Sequence, residues 1–131
     1  MVRAVEILGR EDLVILHCVA SYPCKDEEIN LNMIRTLERM FPGVPIGYSG
    51  HEQDLLPSLC AVSMGASVIE RHITLDRNMP GSDQKASLEP HDFKRLVAQI
   101  RRMEILFGNG VKRIFDSEKE TLKKLRRISD F

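Results

Sequence analysis

A chain of 131 residues, 43% hydrophobic and 29% charged, has the make-up of one soluble globular domain rather than a fibrous or disordered chain. Nineteen basic residues balance nineteen acidic ones, so no net field selects nucleic acid or an anionic membrane as partner. No apolar run approaches the roughly 20 residues of a membrane span, and three cysteines without CxxC spacing exclude a disulfide framework and a structural zinc site. A reducing cytoplasm is the expected location. Cys18 and Cys60 stand in apolar context and are expected in the core; Cys24, in a polar stretch after Pro23, is expected at the surface.

Residues 2–8 carry an amphipathic helical pattern ended by Gly9, without the apolar core of a signal peptide. The run 13–16 predicts a buried strand and 17–26 a loop, with His17 a buried, hydrogen-bonded residue at the strand's end. Leu31, Ile34, Leu37 and Met40 stand near helical spacing, predicting a helix over 30–40 that Phe41-Pro42-Gly43 stops. A second strand is expected over 44–48, then a helix over 55–64 capped by Gly65, then a strand beginning at 67–69. A long loop rich in Gly, Pro, Asp and Ser fills 75–89. Pro90 suits the first turn of a helix running to 107, with His91 exposed and an apolar stripe of Phe93, Leu96, Val97, Ile100, Met103 and Ile105 or Leu106. Gly108-Asn109-Gly110 breaks it, and Ser117 is expected to cap a last helix reaching about 127. The basic pairs and runs at 101–102 and 123–127 sit among acids on helical segments and read as solvated faces.

Strands alternating with helices through short connections imply right-handed crossovers and a parallel sheet. Three parallel strands alone leave edges and a face uncovered, and a full (β/α)8 barrel takes roughly 250 residues. The expected fold class is therefore α/β, with residues 1–131 forming the C-terminal portion of a TIM (β/α)8 barrel, about three β/α units. Two motifs stand one unit apart: Gly47-Tyr48-Ser49-Gly50-His51 and Glu70-Arg71-His72. Each brings a histidine to the C-terminal end of a parallel strand, where β/α folds gather ligands and catalytic groups. Two imidazoles on neighbouring strand ends can share one divalent ion and leave positions on it for water and a carbonyl oxygen.

Longer strings add to this. They are Leu16-His17-Cys18 with Tyr22-Pro23, Ile29-Asn30-Leu31, and Pro45-Ile46-Gly47-Tyr48-Ser49-Gly50-His51-Glu52. Further on come Ile69-Glu70-Arg71-His72-Ile73-Thr74-Leu75-Asp76, Gly81-Ser82-Asp83, Ala86-Ser87-Leu88-Glu89-Pro90 and Gly108-Asn109-Gly110-Val111-Lys112. In these strings and their order the chain resembles the sialic acid synthases (N-acetylneuraminate synthases and their legionaminic and spore-coat relatives), over essentially its whole length. The resemblance implies the last three β/α units of the synthase barrel, ending on the closing helix without the family's small antifreeze-like domain. It implies a condensation in which phosphoenolpyruvate adds to the aldehyde of an N-acetylated amino sugar, water attacks and phosphate leaves. It implies a divalent metal, usually manganese, on His51 and His72. Carried over in the same way, Ser49 contacts phosphoenolpyruvate, Tyr22 lines the sugar site, and Asp83 sits beside the metal and sugar as the catalytic carboxylate. Ala20 stands where many members carry Ser or Asn, Pro80 where related sequences carry a bulky or basic residue, and Gly50 where bacterial members commonly carry Asp.

The family's phosphate-binding lysines and catalytic glutamates come from the first part of its barrel, so the chain alone is expected to be inactive. Its partners would be the two substrates and a second half-barrel, either a second copy in a homodimer or an N-terminal half. The competing reading is a non-catalytic metal-binding or assembly half-barrel; intact His51, His72 and Asp83 weigh against it. Another phosphoenolpyruvate-using aldol synthase, such as one for octulosonate sugars, is set aside by the Gly-Tyr-Ser-Gly-His and Ala-Ser-Leu-Glu-Pro strings.

Overall fold

A computed structural model describes residues 1–125. In chain order the elements are α1 (Val2–Leu8), β1 (Ile15–Cys18), α2 (Asp26–Ile29), α3 (Asn32–Met40), β2 (Ile46–Gly50), α4 (Leu56–Ser63), β3 (Val68–Arg71), α5 (Pro90–Phe107) and α6 (Lys119–Leu125). The strands form a parallel sheet in the order β1-β2-β3, pairing His17 with Tyr48 and Ser49 with Glu70. This is the expected α/β alternation.

The first two strands extend further toward their C-terminal ends than hydrophobicity predicts, because ladder hydrogen bonds are made by backbone and accept polar side chains as readily as apolar ones. His17 and Cys18, expected in a loop, lie in β1, and His17 Nε2–H donates to the Ile29 carbonyl at 2.7 Å. The helix expected over 30–40 is α3, starting at Asn32, and an additional short helix, α2, precedes it and ends at Asn30 in the left-handed region at φ 49. Ser117 does not cap the last helix. It lies inside a 3-10 turn, Asp116–Glu118, whose entry is tied by Glu118 Oε2 accepting from Phe115 N at 2.7 Å. The expected reach of that helix to 127, and the basic residues at 126–127, fall outside the described residues.

Alternation along each strand separates two faces. Ile15, Ile46 and Tyr48 join the main core with Ile29, Ile34, Leu37 and Ala61 from the helices and Phe41 just after α3, and Ile69 packs against it. A second cluster, Leu55, Leu88 and Leu96, lies where α5 meets α4. The opposite face carries Leu16, Cys18, Gly47, Ser49, Val68 and Glu70, with Cys18, Val68 and Glu70 exposed. Gly47 is obligatory there: a Cβ would meet Leu16 Cδ2 at 2.4 Å and the Val68 carbonyl at 2.6 Å.

Two expectations about burial are corrected. The α5 stripe is only partly used: Leu96 is buried at 2%, but Phe93 and Val97 remain 44% and 40% exposed because α5 touches its neighbours along one narrow line. The cysteines exchange places, Cys18 being exposed on the open face and Cys24 buried. The segment after β1 folds back over the end of β2, where Cys24 N donates to the His51 carbonyl at 2.9 Å, and this seals Cys24 inside. Burial pushes the Cys24 thiol pKa up, with Glu28 and Glu52 adding to the effect.

Candidate active site

His51 follows β2 directly and His72 follows β3 directly, so the parallel pairing sets their backbones side by side. Their ring centroids stand 5.1 Å apart. His51 is 3% exposed, and its Nδ1 lies 2.8 Å from the Val19 carbonyl oxygen. A carbonyl only accepts, so Nδ1 carries the proton and the Nε2 lone pair is left to face a ligand, the orientation typical of a metal-binding histidine. The Tyr22 ring completes the group, tilted over His51 at 4.2 Å and edge-on to His72 at 5.7 Å, on the segment that enters the cis Tyr22–Pro23 peptide.

Asp83 reaches the same place by a different route. Residues 87–88 return alongside 72–74: Leu88 N donates to the His72 carbonyl at 2.8 Å, Thr74 N to that of Leu88 at 2.9 Å, and Ile73 and Leu88 form a parallel bridge. The base of this loop is held by Arg77, which donates from Nε to the Ser87 carbonyl and from Nη2 to Asp92 Oδ2, at 2.8 and 2.9 Å. Asp83 Oδ2 then stands 3.8 Å from His72 Nδ1, half-exposed, while its Oδ1 accepts from Ser82 Oγ at 2.7 Å. Ser49, two residues before His51 and on the same face, donates from Oγ to Glu70 Oε1 at 2.8 Å.

The five residues singled out from sequence, Tyr22, Ser49, His51, His72 and Asp83, thus lie at one end of one sheet face. Among the described residues no three His, Cys, Asp or Glu side chains converge tightly enough to enclose an ion. Two imidazoles with one half-exposed carboxylate nearby suit a Lewis-acid ion that keeps open positions, not a closed structural site. His17 and His91 lie apart, His17 on Ile29 and His91 71% exposed beside Glu89.

Glu70 and a buried polar cluster were missed in the sequence. The signal for Glu70 was available, since it precedes His72 by two residues, as Ser49 precedes His51, and strand alternation puts it on the histidine face. The cluster joins Glu52 to Arg71 at 2.8 Å, with both side chains almost entirely buried. Tyr48 Oη donates to Glu52 Oε2 at 2.8 Å and Ser58 Oγ to Glu52 Oε1 at 3.1 Å. Burial and the Glu52 carboxylate push the Tyr48 hydroxyl pKa far above the ordinary tyrosine range, whereas burial pulls the Arg71 guanidinium pKa down against the opposing pull of Glu52.

With this geometry in view, comparison with known proteins is specific. Residues 1–112 match the NeuB family. The chain is 42% identical to the N,N'-diacetyllegionaminic acid synthase of Campylobacter jejuni, covering 90% of this chain and 35% of that protein. It is 44% identical to the human N-acetylneuraminate-9-phosphate synthase, covering 84% of this chain and 31% of that one. A crystal structure of the N-acetylneuraminic acid synthetase of Leptospira borgpetersenii, in complex with citrate, superposes with a TM-score of 0.77 at 37% identity. That superposition covers 96% of this chain and 46% of the Leptospira chain. The chain therefore spans about a third of the length of the relatives it matches.

Proposed function

The chain belongs to the NeuB family, and on that premise we propose that it forms the C-terminal part of a synthase barrel that condenses phosphoenolpyruvate with an N-acetylated amino sugar of the N-acetylmannosamine type. The observation that carries this reading is the His51–His72 pair, 5.1 Å apart, with His51 Nε2 turned free by its partner on Val19. A divalent ion, manganese by preference, would be held by His51 and His72 and would polarise the sugar aldehyde.

The chain's own side chains divide the remaining tasks. Tyr22, 42% exposed above both imidazoles, offers a flat wall for the sugar. Asp83, half-exposed beside His72, orients the sugar or a water through its carboxylate. Ser49 Oγ can turn from Glu70 toward the phosphate or carboxylate of phosphoenolpyruvate. The open sheet face, by contrast, carries the Glu70 carboxylate and no lysine or arginine between Leu16 and Glu70 on its three strands. A trianionic substrate needs fixed cations there. They must come from a segment that covers this face, so the chain by itself binds phosphoenolpyruvate too weakly to turn it over.

The same open face, with Val68 39% exposed, and the outer ladder edges of β1 and β3 in the described sheet suit the other half of a parallel barrel, from a longer chain or a second copy. The deciding experiment follows phosphate release from phosphoenolpyruvate with N-acetylmannosamine and manganese. The chain alone is expected to give none; fused behind the N-terminal barrel strands of a full-length relative, it is expected to give turnover that His72→Ala abolishes. A fusion that folds and binds manganese but stays inactive would favour the non-catalytic reading.

A further inference from the structure

We propose that the buried Glu52–Arg71 ion pair is a positioning device that sets the spacing and aim of the two imidazoles, with Glu52 and Arg71 acting as positioning residues for the site. The inference rests on the reading of His51 and His72 as a metal pair. Its starting point is sequence adjacency across two strands. Glu52 is the residue after His51 and Arg71 the residue before His72, so the ion pair ties together the two backbone segments that carry the histidines.

The bond is more than charge to charge. Arg71 Nη1 donates to Glu52 Oε1 at 2.8 Å and to the Asp54 carbonyl and Ser58 Oγ, each at 3.0 Å, while Nη2 donates to the Glu52 carbonyl. One guanidinium thus fixes two backbone carbonyls in the turn that leaves His51. Glu52 is fixed in its turn by Tyr48 Oη and Ser58 Oγ. From the other side His51 is held by Val19 and Cys24. Arg71 Nε is buried with no hydrogen-bond partner among the described residues, so the guanidinium is held through its two Nη atoms. A buried ion pair adds little net stability compared with apolar residues of the same volume; apolar residues could fill this space, but they could not grip the carbonyls of Glu52 and Asp54.

Gly50 belongs to the device. A Cβ at position 50 would lie 2.6 Å from Glu52 Oε2, 2.8 Å from Oε1 and 2.8 Å from Tyr48 Cε1, so the Glu52 carboxylate occupies the volume a side chain at 50 would enter. Gly50 is also the register partner of Arg71, so with Glu52 truncated a carboxylate on a side chain at position 50 would enter the volume the Glu52 carboxylate now fills, beside Arg71.

The test uses the full chain with two readouts: the nuclear Overhauser contact between the His51 and His72 rings, and manganese affinity by electron paramagnetic resonance. Glu52→Gln is expected to lose the ring contact and to weaken manganese binding roughly 10-fold, the effect typical of removing a residue that orients a metal ligand. The double variant Gly50→Asp, Glu52→Ala is expected to restore both. Retention of the ring contact and of the affinity in a folded Glu52→Gln protein would overturn the proposal, as would failure of the double variant to recover either. If Glu52→Gln does not fold, Tyr48→Phe and Ser58→Ala each remove one hydrogen bond to Glu52. Smaller losses of affinity are then expected, and unchanged values in both overturn the proposal. A wild-type chain that shows the ring contact yet binds no manganese defeats the metal reading instead, and the device is then judged on the ring contact alone.

Discussion

The two faces of the sheet are built on opposite principles. On the helix-covered face Glu52, Arg71, Tyr48 and Ser58 are locked into one buried network beneath the main core. On the open face the groups suited to chemistry stand loosely paired, with Asp83 3.8 Å from His72, Ser49 on an exposed Glu70, and Tyr22 half in solvent. The first arrangement resists displacement and the second permits exchange of partners. A binding site needs both, because ligands must find free valences on groups whose positions do not drift.

The contrast can be broken from the covered side with the largest effect. Arg71→Ala leaves the Glu52 carboxylate buried and unpaired, and should destabilise the chain by about 3–5 kcal/mol in denaturant unfolding. Gly47→Ala attacks the contact between β1, β2 and β3 and should lower stability by about 1–3 kcal/mol through overpacking against Leu16 and the Val68 carbonyl.

Alkali probes Tyr48. Its pKa in the folded chain is raised, by burial first and by Glu52 second, so its contribution to stability is fully present below the unfolded value near pH 10. Above about pH 10 the unfolded chain releases a proton that the native chain keeps. Stability should then fall by up to about 1.4 kcal/mol per pH unit, and Tyr48→Phe should remove that part of the slope. The smallest effect is expected on the open face: Val68→Thr, at a position 39% exposed, should shift stability by no more than about 0.5 kcal/mol. A loss of several kcal/mol there would mean that this face is already covered in the isolated chain, for instance by a second copy.

The open face was the more legible of the two from sequence. Strand alternation and parallel order suffice to place Ser49, His51 and His72 together, and the resemblance to the sialic acid synthases brought in Tyr22 and Asp83. What escaped is what tertiary packing decides. Cys24 sits in a polar stretch and is buried only because residues 19–25 fold back onto His51. The α5 stripe has helical period, but period alone does not say how many neighbours a helix will find; Leu96 finds a core and Phe93 does not. Glu52 and Arg71 carry no mark of their pairing in the sequence, since nothing in a linear pattern shows that two charged residues nineteen positions apart will meet under a helix.

The most direct test of the account is a manganese titration of the wild-type chain by electron paramagnetic resonance, run beside His51→Ala, His72→Ala and the remote His91→Ala. One saturable site, lost in the first two variants and kept in the third, is the predicted result. Absence of saturable binding in the wild-type chain, or binding that survives His72→Ala, would contradict it.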